Sequence, residues 1–234
     1  MPVPVNEHWR IDLSQIDPAD AAEHACLVNT PGNPAGGIDD LGAAAAWGRA
    51  SVPVFSDECY IEFTWDGPPR SILEHGSDSA IAVRSLFEAI ESRWRFARVL
   101  RWRPELVHCT CPKLRKHAGF MVPGPVQAAA IVSFGDQEHV EVQKARYLER
   151  AAADGAEARR QSRRRRRPAW RWVHLWAPAP EGDAWGFAGL LARGEAGVLV
   201  SPGEFYGDAG AGHVRIAVVQ PTERLQLALD RLAD

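Results

Sequence analysis

Asn29-Thr30-Pro31-Gly32-Asn33-Pro34-Ala35-Gly36 and Ser56-Asp57-Glu58-Cys59-Tyr60 are the two stretches on which the fold turns. The first follows Ala25-Cys26-Leu27-Val28, a short apolar run that reads as a buried strand ending in a loop fixed by its prolines and glycines. The second closes a strand expected over Val52 to Ser56. Between them, Asp39 to Arg49 reads as a helix with acidic residues in its first turn, and Ala80 to Ser85 as a further strand. Strands alternating with helices predict an α/β fold with a mostly parallel sheet. Such sheets place ligands at the carboxyl ends of their strands, where both stretches fall.

Toward the termini the pattern changes. Residues 1 to 24 carry no strong periodicity and are expected to be an irregular lead-in. Val126 to Phe134 and His139 to Ala153 read as helices. His174 to Ala177 reads as a strand, Trp185 to Arg193 as a helix, and Val198 to Ser201 and Val214 to Val219 as further strands. A closing helix is expected from Thr222, as N-cap, to about Leu232. Two domains are expected: a mostly parallel-sheet domain over residues 1 to 137, and a small α+β domain over 138 to 234.

The chain has 234 residues, 46% hydrophobic and 24% charged, with a net charge of -3, a globular composition that gives no global signal for a nucleic-acid partner. No apolar run reaches membrane-spanning length and Met1-Pro2-Val3-Pro4 does not open a signal peptide, so a cytoplasmic location without membrane contact is expected. Cys26, Cys59, Cys109 and Cys111 match neither a disulfide framework nor paired zinc knuckles, and no metal is expected. The basic run Arg163 to Arg167 with Trp170 and Trp172 has the composition of an anionic-surface contact.

Taken together and in this order, the two stretches resemble fold-type I pyridoxal-phosphate aminotransferases of class I/II. Lys116-His117-Ala118-Gly119, Pro123-Gly124-Pro125-Val126-Gln127, Ser201-Pro202-Gly203-Glu204-Phe205-Tyr206-Gly207 and His213-Val214-Arg215-Ile216-Ala217 extend the resemblance and bring it closest to succinyldiaminopimelate aminotransferase. The resemblance implies pyridoxal 5'-phosphate as cofactor, an amino acid and a 2-oxo acid as substrates in lysine or diaminopimelate synthesis, and a homodimer. It implies that Asp57 pairs with the pyridinium nitrogen and that Asn33 and Tyr60 bond the cofactor's phenolic oxygen. It further implies that Ser85 contacts the cofactor and that Arg215 with Asn33 grips the substrate carboxylate, a task for a planar, two-pronged guanidinium.

The pattern breaks where the family has Ser-x-Ser-Lys. Here the stretch is Ser85-Leu86-Phe87-Glu88, so Glu88 stands at the position of the Schiff-base lysine, and a carboxylate cannot form an imine. The only lysines are Lys113, Lys116 and Lys144. Residues 87 to 94 can be encoded TTC GAA GCG ATC GAA TCT CGC TGG, followed by C. Dropping the first T gives Ser-Lys-Arg-Ser-Asn-Leu-Ala-Gly, the family's lysine motif. The same shift across Arg163 to Trp172 permits a family-like turn, and Trp94, Trp102, Trp170 and Trp172 fall where shifted glycine codons yield TGG. Windows 87–103 and 159–173 are therefore read as frameshifted, which explains the arginine run without a ligand. The resemblance also implies a glycine-rich segment for the cofactor phosphate, and nothing before Ala25 matches one. A truncated chain without catalytic lysine is expected to be a defective aminotransferase. The alternatives are a noncatalytic fragment that associates with an intact homologue, or a binder acting through the basic segment.

Overall fold

The computed structural model describes residues 2–17, 19–20, 25–50, 52–65, 67–85, 98–101, 111–161, 173–194 and 197–233. Two compact units result: residues 1–32 with 37–144, and residues 33–36 with 145–234.

In the first unit, β1 (Cys26–Asn29), helix α1 (Leu41–Ala50), β2 (Val54–Asp57) and β3 (Ala80–Ser85) follow in order, and β4 (Arg98–Arg101) completes a sheet of order β1-β2-β3-β4. The first three strands are parallel and β4 is antiparallel. These elements form because apolar side chains alternate: Cys26 and Val28 in β1 and Val54 in β2 point into the core. Helix α1 covers that face with Leu41, Ala44, Ala45 and Gly48, the spacing of one helical stripe. Gly48 lets helix and sheet approach closely, since a Cβ there would lie 2.7 Å from Val54 Cγ2. The 3₁₀ turn Ile72–His75 inserts Ile72 into the same core and is closed by a capping box between Ser71 and Glu74. Strand β4 lies inside the first window read as frameshifted.

Residues 2–17 of the lead-in are irregular apart from one 3₁₀ turn, Leu13–Gln15, yet they are anchored to the first unit. Val5 bridges Ile11, Ile11 N–H donates to Asp39 Oδ1 at 2.7 Å, and Ile11, Leu13 and Ile16 pack against the core. Gly37 runs so close to the Trp9 carbonyl that any Cβ would collide with it.

Helices α2 (Cys111–His117), α3 (Gly124–Gly135) and α4 (Glu138–Gln161) follow. Helix α4 runs well past the expected Ala153, because the alanine-rich sequence has no proline or cap to stop it. The division between units falls inside α4, where the sequence expectation put it after residue 137.

The second unit holds β5 (His174–Pro178), α5 (Ala184–Arg193), β6 (Ser201–Pro202), β7 (His213–Ala217) and α6 (Thr222–Ala233), with an antiparallel sheet of order β5-β7-β6. Two expectations are corrected here. The strand expected over Val198 to Ser201 is reduced to Ser201–Pro202, because Val198 N–H donates to Leu191 O at 3.0 Å instead of to a strand. Thr222 is the first helical residue and not the N-cap. The Pro221 carbonyl accepts from Leu225 N–H at 3.1 Å, which makes Pro221 the capping position. Among the described residues, no helix is long and apolar enough to cross a membrane.

Candidate functional site

In the first unit the parallel register puts Asn29 opposite Asp57, and β3 ends beside them at Ser85. The strand ends are laced together: Asn29 Nδ2 and Thr30 N–H both donate to Asp57 O, at 3.2 and 3.1 Å, and Glu58 N–H donates to Val83 O at 2.8 Å. The half-buried Asp57 carboxylate accepts only Cys59 N–H, at 3.2 Å, among the described residues. One oxygen therefore orients the group and the other is available to a ligand donor. Tyr60 follows in the turn, where its carbonyl accepts from Phe63 N–H at 2.8 Å.

Glu58, which sequence reasoning passed over, is 1% exposed. Its Oε1 accepts from Ile72 N–H (2.8 Å) and Ser71 Oγ (3.0 Å), and its Oε2 pairs with Arg84 Nε at 3.3 Å. A buried carboxylate is tolerable only when satisfied in this way. Glu58 thus ties the end of β2, and Asp57 beside it, to the end of β3 and to the capped turn.

In the second unit, side chains alternate across the sheet. Ala177, Val214 and Ile216 face the apolar cluster with Ala184 and Phe187 of α5. The opposite face of β5 and β7 carries His174, Trp176, His213 and Arg215. Arg215 stands directly across from Trp176. Arg215 Nη1 donates to Asn33 Oδ1 at 3.0 Å, and its Cζ lies 5.2 Å from the Tyr206 ring centroid. Trp176 stacks on His213 with 5.1 Å between centroids and meets Tyr206 edge-on at 5.8 Å. Arg215 Nε is buried with no hydrogen-bond partner, and no carboxylate lies within ion-pair distance of Arg215 among the described residues.

The surroundings of this cation are kept neutral. Burial, helped by the Arg215 charge, pushes the His174 pKa down to about 3, and burial lowers that of His213. A histidine whose folded pKa is depressed contributes stability that is whole above the unfolded value of about 6.5 and is lost as pH falls toward 3, because the unfolded chain takes the proton first. We predict that between pH 7 and 4.5 the parent loses roughly 2–3 kcal/mol of unfolding free energy relative to His174→Asn, which has no titrating group at that position. An equal pH dependence of denaturation in the two proteins across that range would contradict it.

The structure thus joins Asn33 with Arg215 in one unit and sets Asp57, Tyr60 and Ser85 at neighbouring strand and turn positions in the other. Glu88, Cys109 and the run Arg163 to Arg167 lie outside the described residues. Lys113 and Lys116 are on α2 and Lys144 is on α4, none of them at a strand end. Among the described residues, no group of three or more His, Cys, Asp or Glu is placed to hold a metal ion. Trp176, His213 and Tyr206 were not singled out from sequence, although the two-residue alternation of β5 and β7 already sets His174, Trp176, His213 and Arg215 on one face.

The first unit thus offers a strand-end carboxylate at Asp57, and the second a half-buried guanidinium at Arg215 with no ion-pair partner among the described residues. The chain is 34% identical to the "Probable aminotransferase Rv1178" of Mycobacterium tuberculosis over 94% of its length. It is 37% identical to the 4-dedimethylamino-4-oxo-anhydrotetracycline transaminase OxyQ of Streptomyces rimosus over 88%. A solved structure described as a "probable N-succinyldiaminopimelate aminotransferase" from Thermus thermophilus superposes with a TM-score of 0.79 at 26% identity, covering 99% of this chain and 64% of that one. No family model matches the chain. The relatives and structural neighbours of the chain are aminotransferases, and it shares the α/β fold of the fold-type I pyridoxal-phosphate aminotransferases. It spans 53% and 58% of the lengths of the two curated relatives.

Proposed function

We propose that this chain is an aminotransferase-like protein that recognises the carboxylate of an amino acid or 2-oxo acid through Arg215 and does not catalyse amino transfer as it stands. The observation that carries the proposal is the state of Arg215: a half-buried cation, oriented by Asn33 and Tyr206, with neutral histidines around it and no carboxylate to neutralise it among the described residues. A buried charge left unpaired costs stability unless a ligand supplies its partner, and a guanidinium fork fits a carboxylate on two points. Amino transfer between a succinylated diamino acid and 2-oxoglutarate, in diaminopimelate synthesis, is the finer reading, supported by the similarity to the Thermus structure and by the motif around Arg215.

Pyridoxal phosphate, when bound in this family, supplies an electron sink for the bonds that change at the substrate α-carbon. The residues present suit part of that group. Asp57, with an oxygen free of donors among the described residues, would hold a proton on the ring nitrogen. Asn33 and Tyr60 would donate to the ring hydroxyl, and Ser85 would contact the cofactor from the end of β3. The covalent anchor does not fit, because Glu88 stands where a lysine is required. Frameshifts in windows 87–103 and 159–173 account for that residue and for the arginine run.

A second reading, a noncatalytic partner of an intact homologue, draws on exposed apolar side chains on α2, on α3 and on the segment between them. Leu114, Phe120, Met121, Ile131 and Val132 are each more than 60% exposed, and exposed apolar side chains grouped in one stretch of chain are a feature of interaction surfaces.

Arg215→Lys tests the main proposal. It keeps the charge and loses the fork, and is expected to weaken 2-oxoglutarate binding by about tenfold or more in calorimetry, with folding intact. Equal affinity in parent and variant would remove Arg215 from the site.

A further inference from the structure

Resting on the reading of Arg215 as the carboxylate site, we infer that Tyr206 is a positioning residue that holds the Arg215 guanidinium in its binding orientation through the face of its ring. The loop between β6 and β7 is built to place that ring. After Pro202 the chain turns through Gly203–Tyr206 and again through Asp208–Gly210. The two turns press together so tightly that a Cβ on Gly203 would run into the Gly210 carbonyl, and one on Gly210 into that of Gly203. Gly207, with φ of 108°, reverses the chain between them in a conformation other residues rarely adopt.

Three consecutive side chains then divide the work. Glu204 accepts from Trp185 Nε1 at 2.6 Å and Phe205 meets the Trp185 ring edge-on at 5.5 Å, so both fasten the turn to α5. Tyr206 contacts instead the sheet face that bears the cation: its ring meets Trp176 edge-on, and Arg215 Cζ lies over it at 5.2 Å. Trp176 is itself backed by the parallel His213 ring. Asn33 fixes only Nη1, and Nε makes no hydrogen bond. A guanidinium held by one hydrogen bond can still swing about it, and attraction of its Cζ to the ring face restrains that motion, which lowers the ordering cost when a carboxylate binds. No acidic side chain among the described residues shares this task, so the cation is oriented without being neutralised.

The test uses the full chain with Tyr206→Phe and with pentafluorophenylalanine at position 206. Phenylalanine keeps the negative ring face, whereas fluorination keeps the shape and reverses the ring's electrostatics, so a purely structural role would leave the two alike. Two quantities are read: 2-oxoglutarate affinity, and the water exchange of the Arg215 Nε proton by NMR, assigned by its loss in Arg215→Lys. The phenylalanine variant is expected to stay within about twofold of the parent in affinity. The fluorinated protein should bind roughly threefold to thirtyfold more weakly and exchange that proton faster, at an unchanged melting temperature. Equal affinity and exchange in the two ring variants overturns the role of Tyr206. If Arg215→Lys weakens binding while the two ring variants match the parent, only that role falls; if Arg215→Lys binds like the parent, the carboxylate reading falls with it.

Discussion

Incubated with pyridoxal phosphate and reduced with borohydride, the chain is expected to yield no cofactor adduct within residues 85 to 103. Reduction traps an imine, and an imine needs a primary amine, which Glu88 lacks. The three lysines the chain does have are on helices α2 and α4, and none is on β2 or β3, whose ends bear Asp57 and Ser85. Some trapping on Lys113 or Lys116 is expected, since α2 is largely exposed and any accessible amine reacts with an aldehyde. Peptide mass mapping separates this background from a site-directed event. Weak noncovalent binding of the cofactor, dependent on Asp57, is compatible with the proposal; a stoichiometric adduct at the end of β3 is not.

Restoring the reading frame is expected to have the largest effect of any change, and in stages. Frame repair across residues 87–103 brings back a lysine at position 88, and with it a reducible cofactor adduct, but amino transfer should stay near background. The chain spans little more than half of its relatives' length. Cofactor affinity in such folds depends on a phosphate dianion held at a helix N-terminus and by arginine, and an imine does not replace that anchoring. Joining the repaired chain to the portion of a relative that it does not span, and correcting residues 159–173 as well, should raise glutamate-dependent amino transfer by several orders of magnitude, the usual scale of enzymatic acceleration. Full activity in the chain repaired only across 87–103 would show that the phosphate anchor is dispensable.

How much of this was legible in the sequence depended on whether a residue acts locally or across the fold. The strand ends bearing Asp57 and Ser85 could be read because apolar runs stop there at polar and turn residues. Asn33 and Arg215 could be read from their motifs, although they are 182 positions apart and meet in a single hydrogen bond. Glu58 could not. A glutamate beside an aspartate reads as surface charge, and only the arrival of Ser71, Ile72 and Arg84 from distant positions makes it a buried hub. The aromatic support of Arg215 was hidden likewise, because it depends on cross-strand register and on a doubly turned loop. Val198 to Val200 looked like a strand from composition, but one hydrogen bond to Leu191 was enough to divert it. The lead-in is largely irregular, as its composition suggested, but its anchoring could not be read, because Asp39 and Gly37, which hold it, lie outside its own sequence.

On this reading the chain carries the cofactor-ring and substrate contacts of a pyridoxal-phosphate aminotransferase and lacks its covalent anchor. Glutamate-dependent amino transfer by the fully repaired and completed protein, with and without Asp57→Ala under saturating cofactor, is the decisive measurement. Activity is expected in the repaired protein, with a loss of at least about a hundredfold on removing Asp57, because without that carboxylate the ring nitrogen loses its proton and the ring its power to withdraw electrons. A repaired protein that binds the cofactor and transfers amino groups equally well with alanine at position 57 would contradict it.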